Sequence, residues 1–490
     1  MAATRRRSRG ILISAYAVLC SMVLPGAGHL AIGDSLRRPK VAVMAVLGLV
    51  SSLGLVLVLA PVGTKADLAD VVSDRAVFVA MAVSLLLMAI TRVWAAFDVA
   101  WLARPRRGRA AVATASVLAV AITVVGATPM VVAAKYVYNT DRAVEKVFGS
   151  NKPVTAEPGV VVTSTSAAPT TTVAPPTTAA VSSTSSTTST SSTTTTVAPF
   201  DGAERLNVLL LGGDAGRGRW NLRTDSMVLV SINPDNGDTA LISVPRNLQH
   251  LPFPPGTPLA ERFPRGFNDL ANAVYPYADT HRELAGGGDD AGAQAVKLGI
   301  AQLLGVPIQY YVLVDMAGFV NVVDAVGGID INVPKRVPTP GNPPGSKHPV
   351  PPYIEKGQQH LDGTLALAYA RSRKADSDYS RMQRQRCVLS AIATAATPQA
   401  LATGLGSLVD AFGMSVRTDI PREKLGELAV VIDRFDKAGG ILVARSLQLT
   451  PPVVQPSNWK PERVRELVQT VLYPPPLPPD FIGVLAPACD

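Results

Sequence analysis

LNVLLLGGDAGRGRWNLRTDSMVLVSINPDNGDTALISVPR, residues 206–246, is the stretch that decides the fold. It holds three apolar runs: NVLLL at 207–211, SMVLVSI at 226–232 and TALISV at 239–244. Each is strand-length, rich in Leu, Val and Ile, and bounded by Gly, Asn, Asp or Pro, so each reads as a buried β-strand. Downstream, 291–304 has helical spacing through Ala295, Leu298, Ile300, Ala301 and Leu304. A strand is expected at 310–314, a helix at 318–326 ended by Gly327-Gly328, and a strand at 329–333. The Pro/Gly run 338–352 reads as a surface excursion. Helices are expected at 361–369, 380–395, 400–412 and 422–435. Strands alternating with helices predict an α/β domain, an α-β-α sandwich with a mixed central sheet.

Three places in this domain concentrate chemistry. The first strand ends in GGDAGRGR, residues 212–219, followed by Arg223-Thr224-Asp225. Glycines at a strand end let a ligand approach the backbone. Asp214 and Asp225 would then project from neighbouring strand ends, and paired hard oxygens suit Mg²⁺ shared with substrate phosphates. An ordinary glycine loop with two surface aspartates fits the same residues. No Gly-Lys-Ser/Thr follows, so a P-loop is excluded. The third strand ends in Pro245-Arg246, which either reaches the same crevice or faces solvent. The densest stretch is YARSRKADSDYSRMQRQR, residues 369–386, with Arg371, Arg373, Arg381, Arg384 and Arg386 beside Asp376, Asp378 and Gln385. Arginine grips phosphate bidentately and keeps its charge. The other reading of this stretch is a solvated helix face laced with ion pairs.

These segments in order resemble the LytR-CpsA-Psr family of cell-wall glycopolymer transferases. The resemblance is carried by GGD (212–214), RTD (223–225), SVPR (243–246), NAVYPYA (272–278) and LLGVPIQYYVLVDMAGFVNVVDAVGGIDINVP (303–334). LDGTLALAYARSR (361–373), DYSRMQRQ (378–385) and SVRTDIP (415–421) complete it. It covers roughly 203–450. It implies transfer of a glycopolymer from a polyprenyl-pyrophosphate carrier to a peptidoglycan sugar hydroxyl, forming a phosphodiester. It implies that Asp214 and Asp225 hold Mg²⁺. It further implies that Arg223, Arg246, Arg371, Arg373 and Arg381 clamp the pyrophosphate with support from Gln385. Phosphoryl transfer is mostly positioning and charge neutralisation, which metal and arginines supply. Asp225 is also a candidate to assist deprotonation of the attacking hydroxyl. Two other activities fit the same residues: a pyrophosphatase acting on the lipid-linked donor, or a non-catalytic wall-binding or regulatory protein. The chain departs from the family at Asn247, where an aspartate is usual, and at Leu270, where a lysine is usual. Arg384 receives no role.

With 490 residues the chain is too long for one core. Residues 1–150 carry 17 Lys/Arg against 7 Asp/Glu, while 201–490 carry 28 against 29. The positive excess therefore lies beside apolar segments, not on the folded domain, which argues for a membrane and against nucleic acid. A membrane domain at 1–140 would have spans near 41–62, 76–102 and 110–134. The basic loop 104–109 points to the cytoplasm and the acidic loop 65–75 to the outside. The apolar segment 11–33, broken at Pro25-Gly26, is either a re-entrant hairpin or a fourth span. Both put the α/β domain, 203–475, on the extracytoplasmic face of a multi-pass membrane protein. Arg92 and Asp98 inside the 76–102 span read as functional, or as snorkelling to the cytoplasmic surface, the reading preferred for Arg92. Residues 150–200 are Ser, Thr, Pro, Ala and Val with almost no charge, a disordered linker or stalk reaching ~40 Å as a coil or ~150 Å extended. A tail follows at 476–490. Cys387 and Cys489 are either a disulfide pair outside the cell or unrelated thiols.

Overall fold

A computed structural model of the chain describes residues 2–33, 39–59, 73–103, 109–148, 155–159, 199–214, 222–285, 290–342, 346–373, 378–397, 415–440 and 444–474. Several expected features lie wholly or mainly outside the described residues. They are the loops 65–75 and 104–109, most of the linker, the helix at 400–412, Asp376, and the tail with Cys489. Cys387 is buried.

Five helices form the N-terminal part: α1 (Ala2–Val23), α2 (Ala27–Ala31), α3 (Pro39–Leu59), α4 (Arg75–Leu102) and α5 (Arg109–Phe148). α3, α4 and α5 are long and apolar enough to cross a membrane. α1 packs on α4 and α5 through Ala17, Val18, Met22, Ala96, Val99, Ala119 and Ala127. The chain turns at Pro25-Gly26, where Gly26 takes φ 93°, a left-handed conformation that costs glycine least. The carbonyls left over at the end of α1 are met by Arg92: its Nε donates to Met22 O at 2.9 Å and its Nη2 to Val23 O at 3.5 Å. Arg92 is only 8 % exposed, so it caps a broken helix inside the bundle rather than snorkelling to the surface. Nearer the end of α4, Asp98 stands 2.7 Å from His29 Nε2 and 2.9 Å from Lys40 Nζ. α1 and α2 thus fold back along α4 toward the end where α3 begins.

The C-terminal part is an α/β domain. Its strands and helices alternate as β1 (Leu206–Gly213), β2 (Thr224–Ile232), β3 (Thr239–Val244), α6 (Pro258–Arg262), α7 (Val274–Thr280), α8 (Ala291–Leu304), β4 (Tyr310–Val314), α9 (Met316–Ala325) and β5 (Ile329–Val333). Then come β6 (Val337–Pro338), β7 (Tyr353–Ile354), β8 (Gly357–Leu361), α10 (Gly363–Arg371), α11 (Asp378–Ala395), β9 (Val416–Thr418), α12 (Leu425–Lys437), β10 (Arg445–Gln448) and α13 (Pro461–Leu472). Six strands make one sheet in the order β10-β3-β2-β1-β4-β9. β1 is antiparallel to β2 and parallel to β4, so the sheet is mixed. On one face Leu209, Leu211, Met227, Leu229, Ile242 and Leu313 pack with α8 and α13. On the other, Val208, Leu210 and Val230 meet α12 through Leu428 and Val431, and Val228 and Leu241 meet Leu389 and Ala393 of α11. This is the three-layer sandwich. β5 and β8 form a separate two-stranded sheet under α10 and α11.

Short segments inside the stretch read as linker lie on this domain. Ala156 exchanges two backbone hydrogen bonds of 3.0 Å with Ile308. The Gly159 N–H donates to Gln302 Oε1 at 2.8 Å. Phe200 is buried against Tyr310, ring centroids 6.1 Å apart.

Candidate active site

β1 and β2 pair in register until their open ends, where a shift falls between Gly212 and Gly213. An added Cβ on Gly212 would lie 2.9 Å from Ser226 Cβ, so the close approach of the two strand ends requires glycine there. Asp214, two residues on, accepts from the Arg223 N–H through Oδ1 at 2.8 Å and donates its own N–H to Arg223 O at 3.0 Å. This exchange pins Asp214 beside Arg223. The Arg223 side chain is exposed.

Asp225 is the centre of the site. Its Oδ2 accepts from Arg246 Nη1 at 2.8 Å and its Oδ1 from Asn272 Nδ2 at 2.8 Å. Burial alone would raise this carboxyl. The Asn272 hydrogen bond, the Arg246 guanidinium and the charge of Arg381 outweigh that cost and hold it below the ordinary carboxylate range. Arg381 comes from α11, across the β2–β3 face, and is 4 % exposed. Asp225, Ser226, Arg246, Met382 and Gln385 line one small crevice. Four of the residues singled out in the sequence, from β2, the end of β3 and α11, therefore converge.

Arg371 and Arg373 stand at the C-terminal end of α10, half-buried and exposed respectively. Between them Ser372 is tied twice. Its hydroxyl donates to Pro338 O, and its carbonyl accepts from Arg384 Nη2. Arg384 also lies 5.9 Å from the Tyr369 ring. Arg384, unassigned from sequence, is the brace that joins the end of α10 to α11 and so sets where Arg371 and Arg373 begin. Arg386 turns elsewhere: with its amide turned, Gln448 of β10 accepts from Arg386 Nη2 at 2.8 Å.

Asn272 is the site residue that sequence reasoning missed. It was legible only as part of the 272–278 motif, with no polar partner within reach in sequence. Its backbone N–H donates to Arg246 O at 3.1 Å, so one residue fixes both members of the Asp225–Arg246 pair. The turn that carries it is held from behind: Tyr275 OH donates to Asp290 Oδ2 at 2.8 Å, and Arg417 Nη1 donates to the same two atoms at 2.9 and 3.1 Å. Burial, then the Asp290 charge, push the Tyr275 hydroxyl well above its usual range, so it stays a donor. Asp290 also caps α8 through the Ala293 N–H at 3.0 Å. Leu270, in the place of a lysine, makes a backbone bridge to Gln249.

Among the described residues no group of three or more His, Cys, Asp or Glu side chains is placed to hold a metal. Asp214 and Asp225 provide two carboxylates at neighbouring strand ends. The Asn272 Oδ1 beside Asp225 is buried with no hydrogen-bond partner among the described residues. An all-oxygen set of this size fits a cation that keeps waters and takes the rest of its ligands from phosphate, as Mg²⁺ does.

The chain spans 64 % of the length of two Bacillus relatives it matches, the polyisoprenyl-teichoic acid–peptidoglycan teichoic acid transferases TagU of Bacillus mycoides and Bacillus anthracis. Both are 30 % identical over 228 residues, 46 % of this chain. The TagU of Oceanobacillus iheyensis is 33 % identical over 227 residues, again 46 % of this chain and 62 % of its own length. Among solved structures, B. subtilis TagV is 25 % identical, covering 55 % of this chain and 97 % of its own, with a TM-score of 0.39. TagT bound to LIIa-WTA is 24 % identical, covering 55 % and 89 %, with a TM-score of 0.37. The sequence profile of the LytR_cpsA_psr family matches residues 171–439, which takes in β1 to α12, the Asp225–Arg246 pair and the arginines of α10 and α11. That is more than half of the chain, and the protein belongs to the LytR_cpsA_psr family.

Proposed function

We propose that the protein is a membrane-anchored phosphotransferase that moves a glycopolymer from a polyprenyl-pyrophosphate carrier to a sugar hydroxyl of peptidoglycan. The observation that carries this reading is that Arg246 and Gln385 meet Asp225 in one crevice, with the buried Arg381 close enough for its charge to act on Asp225. The hydroxyl oxygen of the acceptor attacks the phosphorus that bears the glycopolymer. The bond from that phosphorus to the bridging oxygen breaks, polyprenyl phosphate leaves, and the hydroxyl proton passes to solvent or to the leaving phosphate. Arg246 and Arg381 neutralise charge on the pyrophosphate, with Arg223, Arg371 and Arg373 supplied from the rim. Gln385 orients the same oxygens by hydrogen bonding. Asp214 and Asp225 would hold Mg²⁺, which supplies further charge neutralisation when bound. A carboxyl held below its ordinary range is a weak base, so Asp225 fits a ligand's role better than a proton acceptor's. The basic stretches 37–40 and 104–109 between the apolar helices support an extracytoplasmic active site by the positive-inside bias.

Transfer is tested with the full chain in lipid nanodiscs, given lipid-linked donor, peptidoglycan and Mg²⁺, scoring polymer joined by phosphodiester. The expected result is linked product that falls at least about 10²-fold in Arg246→Ala and in Asp225→Asn. Release of free polymer phosphate without linkage would instead make the protein a donor pyrophosphatase. Unchanged wall attachment in both variants would make it non-catalytic.

A further inference from the structure

The N-terminal helices and the α/β domain meet through a buried charged contact. α5 runs on beyond its apolar part, and the 14 residues 135–148 extend it by about 20 Å. On this extension Asp141 is 6 % exposed, and Arg422, just after β9, is also 6 % exposed. Arg422 Nη1 lies 2.8 Å from Asp141 Oδ1 and 3.2 Å from Glu145 Oε2. Its guanidinium stands 5.4 Å from the Phe78 ring of α4. Arg75, at the start of α4, adds a contact of 3.7 Å to Asp141. Phe148, the last residue of α5, packs on the cluster of Phe200, Leu206, Val208 and Tyr310. Charges buried to this degree are stable only when paired and held in one geometry. A domain swinging on a stalk would not bury them.

We propose that the outer ends of α4 and α5 are a docking platform for the α/β domain, fastened by Arg422 to Asp141 and Glu145. The chain is held to the α/β domain on both sides of the Ser/Thr/Pro stretch, at Gly159 and at Phe200, so α5 sets the domain's height. The platform grips the end of the sheet where β1 begins. The Asp225 crevice stands toward the other end of β1, where the strand closes seven residues on or about 23 Å along. The pyrophosphate site is thereby held at a set distance from the bilayer, facing away from the platform along β1. This consequence rests on the transfer reading; the docking itself does not.

Hydrogen exchange of the full chain in nanodiscs tests the docking directly. Slow exchange is expected at 138–148 and 418–424. It should rise at least about tenfold at both segments in Arg422→Ala, and likewise in the Asp141→Asn, Glu145→Gln double variant. Exchange across β1 and β2 should not change, which shows that the α/β domain is still folded. Equal exchange at 138–148 in parent and both variants would overturn the proposal, as would loss of protection across β1 and β2 together with it. The transfer assay is then run with the donor embedded in the nanodisc and with a short-chain, water-soluble donor. Arg422→Ala should lose at least about fivefold on the embedded donor and keep its rate on the soluble one. Equal loss on both would overturn the positioning role. A parent that transfers from neither donor would count against the transferase reading, while the exchange result still decides the docking.

Discussion

Asp225 accepts hydrogen bonds on both oxygens from groups that arrive from different parts of the chain, Arg246 after β3 and Asn272 before α7. Its carboxyl is lowered, so its pairing stabilises the fold fully at neutral pH, above the unfolded carboxyl value near 3.9. That contribution is lost as the pH falls through the lower folded value. Asp225→Asn is therefore expected to destabilise the chain by about 1 kcal/mol at pH 7. The difference should shrink as the pH falls below about 4, because the unfolded chain's carboxyl then takes up its proton while the folded one still holds its charge. Chemical denaturation at pH 7 and pH 3.5 checks this, and a gap that stays constant would contradict the pairing. Asp214, Asp225, Arg246, Arg381 and Gln385 were all legible in sequence, because glycines, strand ends and a dense arginine run mark them. Asn272 was not, since an uncharged amide in an apolar stretch gives no signal until Asp225 is seen opposite it. Arg384 was hidden for a similar reason: its partner is a backbone carbonyl, Ser372 O, which sequence cannot announce.

At the scale of elements, apolar runs and caps carried most of the information. The strands at 239–244, 310–314 and 329–333 and the helix at 291–304 fall where the sequence predicts them. β9 and β10 were missed because Val416–Thr418 and Arg445–Gln448 are short, edge-placed and half polar. α13 did leave a signal, Pro461 at its start and Val464, Val468 and Leu472 four residues apart on one face. β9 matters because the residue just after it, Asp419, meets Lys297 of α8. The Lys297 side chain is fully buried, its Nζ pairs with Asp419 Oδ2, and the Tyr311 N–H donates to Asp419 Oδ1 at 2.7 Å. This ties α8, β4 and the exit from β9 into one unit, next to the Tyr275–Asp290–Arg417 group that braces Asn272. Lys297→Met leaves Asp419 buried without its cation and is expected to cost about 3–5 kcal/mol. Adding Asp419→Leu should recover part of that loss. Urea denaturation of the single and double variants measures both effects, and a single variant as stable as the parent would contradict the buried pair.

For the whole molecule, charge distribution and hydropathy announced a membrane part and a soluble part, but not how they join. The joint is made by side chains 277 residues apart, Glu145 and Arg422, and by an α5 that outruns its apolar span. The stretch 150–200 looked like the spacer because its composition cannot build a core. Yet its flanks, at Ala156 and Phe200, are part of the α/β domain. Inside the bundle the same lesson holds at Arg92, whose position in an apolar helix suggested the surface and whose hydrogen bonds go to the broken end of α1. Both cases are long-range polar pairings within an apolar context, which periodicity does not encode.

In the proposed function β2, the end of β3 and α11 build one cationic crevice for a lipid-linked pyrophosphate. Its most direct test is the affinity of the full chain in nanodiscs for a polyprenyl pyrophosphate, titrated with and without Mg²⁺, for the parent and for Arg381→Lys. Lysine keeps the charge and removes the bidentate fork. The account predicts binding that strengthens with Mg²⁺ in the parent and weakens at least about tenfold in Arg381→Lys, a change of about 1.4 kcal/mol. Affinity that is the same in the two proteins, or indifferent to Mg²⁺ in the parent, would contradict it.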